Sequence, residues 1–463
     1  MKMITRTMVA AGVLLQLAPG AVLAGPARTK PTPTPAPVST GPSNEELKRQ
    51  IDVLGAEVQK LKIGEAAEAR ADKTQYGFGP AASKVYRTDH GFSIGGYGEI
   101  LFERFLGGFY ADGNPNPFYR IAPHSGGMSA GDAKARQSRI DLKRLILYAG
   151  YKFNDEWVLN SEIEFEHGGD EISLEFLYFD HFVKSSLNYR FGKVLMPVGL
   201  TNETHEPVTF LGSHRPLVET LLIPTTWAEY GAGIFGDLGS DWTYRTYFVT
   251  GMNASEFSDK KGIREGRPER NYSDASRFAW TGRLDYVGTP GLLAGFSSYV
   301  GEASTQKSAS NNLGRDSFSV PMKLFEAHAH YTLNAWDFRA LGSYTFLSNV
   351  DRLNQLRADN SGGPVSSVGS EQVGGYAQVG YDVLNGSGSA ASVMPFVRYE
   401  VVNLQKAVPA GWVSEDRNLI HAAVFGVNWK PMSQIVLKGD YEWFKIARNQ
   451  GIDQVNFSVG YVF

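Results

Sequence analysis

Glu162, Glu164 and Glu166 stand two apart, and so do Glu326, His328 and His330. Residues two apart in an extended chain leave the backbone on the same side, so each trio would set polar groups in a row. Paired carboxylates can divide acid and base work, and a carboxylate with two imidazoles can ligate zinc. Neither row comes with a binding cleft that the sequence reveals. No phosphate-binding G-x-x-x-x-G-K-[ST] loop occurs, and nothing supports a serine hydrolase or a nucleotide enzyme. The favoured reading of both rows is a polar strand face. No catalytic residue, cofactor or metal is expected, and the chain reads as a non-enzyme.

The same two-residue spacing aligns further charges. Glu99, Glu103, Arg139, Arg190, Arg245, Arg283, Asp285, Arg339, Arg398, Glu400 and Lys438 fall on the polar faces of alternating segments, beside Glu162, Glu164 and Glu166. Glutamates that close repel unless they are solvated or paired with arginine across the strand. Lys143, Arg144 and Leu145 interrupt the alternation of their segment, which leaves their faces unassigned.

Strands must carry these rows. In 277–286, Phe278, Trp280, Gly282, Leu284 and Tyr286 oppose Arg277, Thr281, Arg283 and Asp285. In 336–346, Trp336, Phe338, Ala340, Tyr344 and Phe346 oppose Asp337, Arg339, Ser343 and Thr345. Ten-residue segments of this kind suit a wall with lipid on one side and a polar interior on the other. Sixteen segments are predicted, at about 92–105, 138–153, 156–167, 170–183, 186–195, 228–237, 241–252, 277–287, 292–303, 321–333, 336–347, 371–384, 392–404, 419–430, 433–446 and 453–463. Connections after even segments are tight, whereas those after odd segments are mostly long: 106–137, 196–227, 253–276, 304–320, 348–370 and 405–418. Short turns at one rim and long loops at the other mark an outer-membrane barrel; a soluble sandwich has no reason to produce them.

Composition agrees. The chain has 463 residues, no cysteine and a formal net charge of -3, which argues against a disulfide scaffold, a thiolate metal site and a nucleic-acid partner. Lys2 and Arg6, the apolar run from Met8 to Leu17 and Val22-Leu23-Ala24 predict a secretory signal peptide at 1–24. A Pro-rich linker follows at 25–43. Leu47, Ile51, Leu54, Val58 and Leu61 then outline a short coiled-coil helix within 44–73.

The segment Gly95-Gly96-Tyr97-Gly98-Glu99 resembles the opening strand of the phosphate-selective porin O/P family. Arg190-Phe191-Gly192-Lys193-Val194-Leu195-Met196-Pro197-Val198-Gly199-Leu200 is similar to that family's exit from its fifth strand, and Trp227-Ala228-Glu229-Tyr230-Gly231-Ala232-Gly233 to its re-entry. The terminal Phe463 resembles the insertion signal of outer-membrane proteins. The resemblance, over 92–463, implies a trimeric barrel whose third long loop folds inward. Here that constriction loop is 196–227, with Glu203, His205, Glu206, His214, Arg215 and Glu219. It also implies an arginine ladder and a lysine cluster. This sequence departs from that pattern in mixing carboxylates with its cations.

The expectation is therefore an all-β fold: a 16-stranded antiparallel transmembrane β-barrel over 91–463, preceded by a short coiled-coil helix. Its expected place is the cell outer membrane, as a homotrimer in contact with lipid and, through the coiled coil, with the cell wall. Its expected function is passive diffusion of small hydrophilic solutes or ions, with anions such as phosphate among them. The alternative is a barrel whose plugged lumen serves as an enzyme or adhesin.

Overall fold

The alternation of apolar and polar residues resolves into strands whose two faces meet different surroundings. The computed structural model describes residues 75–108, 114, 116, 119–125, 138–166, 169, 171–268, 273–305 and 318–463. The predicted signal peptide, linker and coiled-coil helix lie outside the described residues. No helix among the described residues is long and apolar enough to cross a membrane.

The strands are β1 (Gly91–Leu106), β2 (Ser138–Lys152), β3 (Trp157–Glu166), β4 (Glu171–Lys184), β5 (Leu187–Leu195) and β6 (Ala228–Leu238). They continue with β7 (Trp242–Thr250), β8 (Phe278–Tyr286), β9 (Leu292–Ser304), β10 (Ser319–Leu333) and β11 (Trp336–Leu347). The last are β12 (Glu371–Tyr381), β13 (Ser392–Ala407), β14 (Leu419–Met432), β15 (Ile435–Lys445) and β16 (Asp453–Val462). Each pairs antiparallel with its sequence neighbours, and β16 returns to β1, so the sheet closes as a barrel. The predicted sixteen segments and their order are those observed. Among the described residues two short α-helices accompany them, α1 (Lys84–Arg87) and α2 (Val350–Ser361).

The outside of the wall is apolar. Phe248, Phe278, Trp280, Phe296, Phe325, Val397, Phe425 and Phe457 are all exposed. At the rim of short turns, Trp242 faces Tyr286 at 5.1 Å and Trp336 faces Tyr381 at 4.7 Å, direct cross-strand neighbours in both cases. A closed wall coated in this way leaves no unpaired edge in hydrocarbon, and aromatic girdles mark its boundary with headgroups.

Bulges in β2 and β4 break the pattern on the inner face. Glu99 pairs with Arg144 and Ile100 with Leu142, so Lys143 is the extra residue of β2. Both Lys143 and Arg144 thereby stay on the inside, which explains the interruption seen in the sequence. Likewise Glu162 pairs with Phe176 and Ile163 with Leu174, which makes Glu175 the extra residue of β4. Bulges re-aim side chains in this manner. In β5, Gly192 has φ +136°, where a Cβ would lie 2.3 Å from the Leu177 carbonyl oxygen. The twist there turns Lys193 inward, against strict alternation.

The segment Gly91-Phe92-Ser93-Ile94-Gly95 has the spacing of a G-x-S-x-G nucleophile elbow, a match that strand periodicity hides. It runs straight through β1, with Ser93 paired to Gly150. An elbow needs a sharp strand-to-helix turn, and this segment has none.

Candidate functional site

The interior of the barrel is the candidate site, and two chain segments enter it. Loop 196–227 leaves β5, crosses the interior and returns to β6. Nearly every residue of it is buried, including Leu217, Val218, Leu221, Leu222, Ile223 and Trp227 at 1% exposure or less. The wall holds it mainly through its backbone. Arg339 Nη1 donates to the Thr209 carbonyl at 2.8 Å, Arg398 Nη1 to Leu211 at 2.9 Å and Lys438 Nζ to Gly212 at 2.9 Å. Arg283 Nη1 donates to the Gly199 carbonyl. In the other direction, the Ser213 N–H donates to Asp440 at 2.7 Å and the Gly212 N–H to Asn428 at 3.1 Å.

The second segment is 75–88, ahead of β1, which no sequence signal placed inside. Phe78, Ala81, Ala82, Val85 and Tyr86 are buried there. Glu206 of the loop accepts from the N–H groups of Ala81 and Ala82, each at 3.0 Å. Tyr86 Oη donates to Asp180 at 2.8 Å. Gly77 has φ +92°, and a Cβ there would stand 2.8 Å from Glu203; this tight backbone passage needs glycine. Together with the loop, the segment builds an apolar cluster that includes Tyr97, Tyr148, Phe176, Tyr178 and Tyr247. The interior is thus far more filled than one inward loop implies.

The residues singled out in the sequence all sit on the inner face, and most are engaged. Arg190 grips Asp180 at 2.7 and 2.8 Å and lies over the rings of Phe78, Tyr178 and Phe235. Arg245 bridges Glu203 at 3.2 Å and Asp285 at 2.9 Å. Arg283 reaches Asp285 at 2.8 Å, and Arg398 reaches Glu400 at 2.8 Å. Arg139 pairs with Glu103. Within the carboxylate row, Glu162 meets His205 at 3.0 Å and Glu166 meets Arg144 at 3.8 Å across the strand, while Glu164 is buried between them. Glu99 lies 3.9 Å from Arg144, and Glu219 accepts from Tyr376 at 2.7 Å. Arg215 Nη2 donates to the His205 carbonyl at 3.0 Å.

The row Glu326, His328 and His330 does not converge on a metal. His328 sits between Glu326 at 2.8 Å and Asp285 at 2.9 Å, whereas His330 turns to Asp337 at 2.7 Å.

Among the described residues a cavity of about 210 Å³ lies beside the loop. Six cationic side chains line it: Lys143, Arg144, Lys193, Arg215, Arg264 and Arg267. Three carboxylates face them, Glu164, Glu166 and Glu175. The bulges of β2 and β4 supply Lys143 and Glu175, the Gly192 twist supplies Lys193, and loop 251–277 supplies Arg264 and Arg267. Arg264 also donates to the Thr220 carbonyl at 2.9 Å, joining the two loops. Burial and the adjacent Arg267 pull the Arg264 guanidinium down to about 9, so it is still cationic at neutral pH. Of the sequence-derived candidates, only Glu164, Glu166, His214 and Arg215 line this cavity.

An uncharacterized protein of Aquifex aeolicus (strain VF5) is 33% identical to this chain over 394 residues, covering 83% of this chain and 82% of the relative. No family model matches the chain. Among solved structures, Salmonella typhi OmpF in complex with daunomycin superposes with a TM-score of 0.50 at 11% identity, covering 81% of this chain and 98% of that one. An anion-selective porin from Comamonas acidovorans superposes with a TM-score of 0.47 at 11% identity, over 80% of this chain and 99% of that one. The fold is that of the outer-membrane porins, and the apolar wall suits the outer membrane.

Proposed function

We propose, for a chain that belongs to the same family as the uncharacterized Aquifex aeolicus protein, that it is an outer-membrane channel for passive diffusion of small hydrophilic solutes with a preference for anions. The observation that carries this reading is the lining of the cavity beside loop 196–227, where six cations face three carboxylates. Rings of charge in a narrow, low-dielectric passage bias which ions enter. An oxyanion such as phosphate, the solute class that the O/P resemblance brings, fits guanidinium groups through paired hydrogen bonds. The wall cations Arg283, Arg339, Arg398 and Lys438 serve a different purpose in this reading. They hold the loop's carbonyls in place, so the selecting charges are those of the cavity.

Loop 196–227 is the constriction in this account, and three copies side by side form the working unit in the bilayer. Purified protein in a planar membrane should give stepwise conductance, with a reversal potential in a salt gradient that reports anion preference. A cation-directed reversal potential would remove the selectivity claim. A second reading is a barrel closed at rest, and the apolar cluster formed by 75–88 and the loop favours it. Protein that inserts and never conducts at any voltage would decide for that reading.

A further inference from the structure

At the edge of the cavity, three side chains from three distant parts of the chain bring donor atoms together. His124 comes from the β1–β2 connection, His214 from loop 196–227 and Glu442 from β15, and one ligand atom of each lies within 4.8 Å of the others. His124 Nε2 is 3.0 Å from Glu442 Oε2, and His214 Nδ1 is 3.9 Å from the same oxygen. The two imidazole rings lie 4.0 Å apart between centroids.

Burial makes this crowding informative. His214 is 3% exposed, and while its Nε2 lies 3.1 Å from Glu103 Oε1 its Nδ1 has no hydrogen-bond partner; Nδ1 of His124 and Oε1 of Glu442 also lack one. Unsatisfied buried polar atoms are rare and costly, and two facing imidazoles gain nothing from each other. A cation held between the rings would take up the unpartnered Nδ1 of His214 and join it to His124 Nε2 and Glu442 Oε2. For bonds near 2.0–2.2 Å in tetrahedral geometry, donor atoms stand about 3.3 Å apart, between the two separations observed.

We infer that His124 Nε2, His214 Nδ1 and Glu442 Oε2 bind a divalent transition-metal ion of the zinc class. Two imidazoles and a carboxylate favour such an ion over magnesium or calcium, which prefer all-oxygen shells. His214 then turns its Nε2–H toward Glu103 Oε1, 3.1 Å away. That carboxylate–histidine arrangement fixes the ring and strengthens it as a ligand. Gln454 Nε2 donates to Glu442 Oε2 at 3.2 Å and orients the carboxylate. Both histidines also line the cavity, so the ion's fourth position opens toward it. The bound ion ties the β1–β2 connection and loop 196–227 to the barrel wall.

The test uses untagged full-length protein in detergent, stripped with a chelator and dialysed against Zn2+ or Co2+. One ion per chain is expected, with the intense visible absorption of four-coordinate cobalt. H124A, H214A and E442Q should each abolish stoichiometric binding, and E103Q should weaken it about 10–100-fold. H421A, outside the cluster, should bind as the parent does. Heat-dependent gel mobility identifies folded barrel; if H214A loses it, H124A on its own connection decides the matter. Folded parent protein that takes up neither ion, or an H124A variant that binds as tightly as the parent, overturns the assignment.

Discussion

Glu206 receives the N–H of Ala81 on both carboxylate oxygens, at 3.0 and 3.1 Å, across 125 residues of chain. The bond fastens a segment ahead of the first strand to a loop after the fifth, inside the barrel. A Cβ at Gly79 would come 2.5 Å from the same carboxylate. Gly79→Val should therefore expel the segment while leaving the wall intact. Single-channel conductance should rise in this variant and in one lacking 75–88. Equal conductance in all three proteins would mean that the segment obstructs nothing.

Arg190 is the most enclosed of the interior cations, held by Asp180 and three aromatic rings. Removing one partner of a buried pair leaves the other charge uncompensated, at a cost of about 3–5 kcal/mol. Arg190→Ala should lower the midpoint of urea unfolding accordingly. A double change, Arg190→Met with Asp180→Leu, should recover much of the loss. A single variant as stable as the parent would show that the pair contributes nothing.

Arg264 and Arg267 belong to a loop and bear no strand. Replacing both with glutamate changes the cavity lining from six cations and three carboxylates to four and five. The reversal potential in a potassium chloride gradient should move toward the cation side, and its shift should shrink at high salt as screening grows. An unchanged potential would place the selecting charges elsewhere.

Phe425 sits midway along β14 and is 51% exposed. Arginine at the bilayer midplane on a lipid-facing position costs about 2–4 kcal/mol. Phe425→Arg should therefore destabilise the barrel in liposomes by that order. A change of only a few tenths would deny this face its contact with lipid.

The wall was legible because each strand separates two media, and the alternation of Phe278, Trp280 and Leu284 with Thr281, Arg283 and Asp285 records it directly. Lys143 was not, since a bulge adds one residue without altering composition. Lys193 was hidden in the same way: counting by two sends it outward, and only the φ of Gly192 turns it back. Residues 75–88 hold a single four-residue helix, and their partners Glu203 and Glu206 are remote in sequence. Helix α2 escaped because it buries only Val350, Leu353 and Asn354, too few for an apolar stripe. The cations of the expected ladder lie on the inner face. What spacing could not convey is that Arg339, Arg398 and Lys438 meet the backbone of a loop.

Gly96 and Phe463 exchange backbone hydrogen bonds at 3.0 and 2.9 Å, where the last residue meets the first strand. The ring therefore has a single seam, and its two lips come from opposite ends of the sheet. A half-built sheet would carry two bare margins, each a row of amides that hydrocarbon cannot solvate, at several kcal/mol per group. Sealing β16 against β1 pairs the last of these amides, so only the closed ring presents no bare strand edge to hydrocarbon.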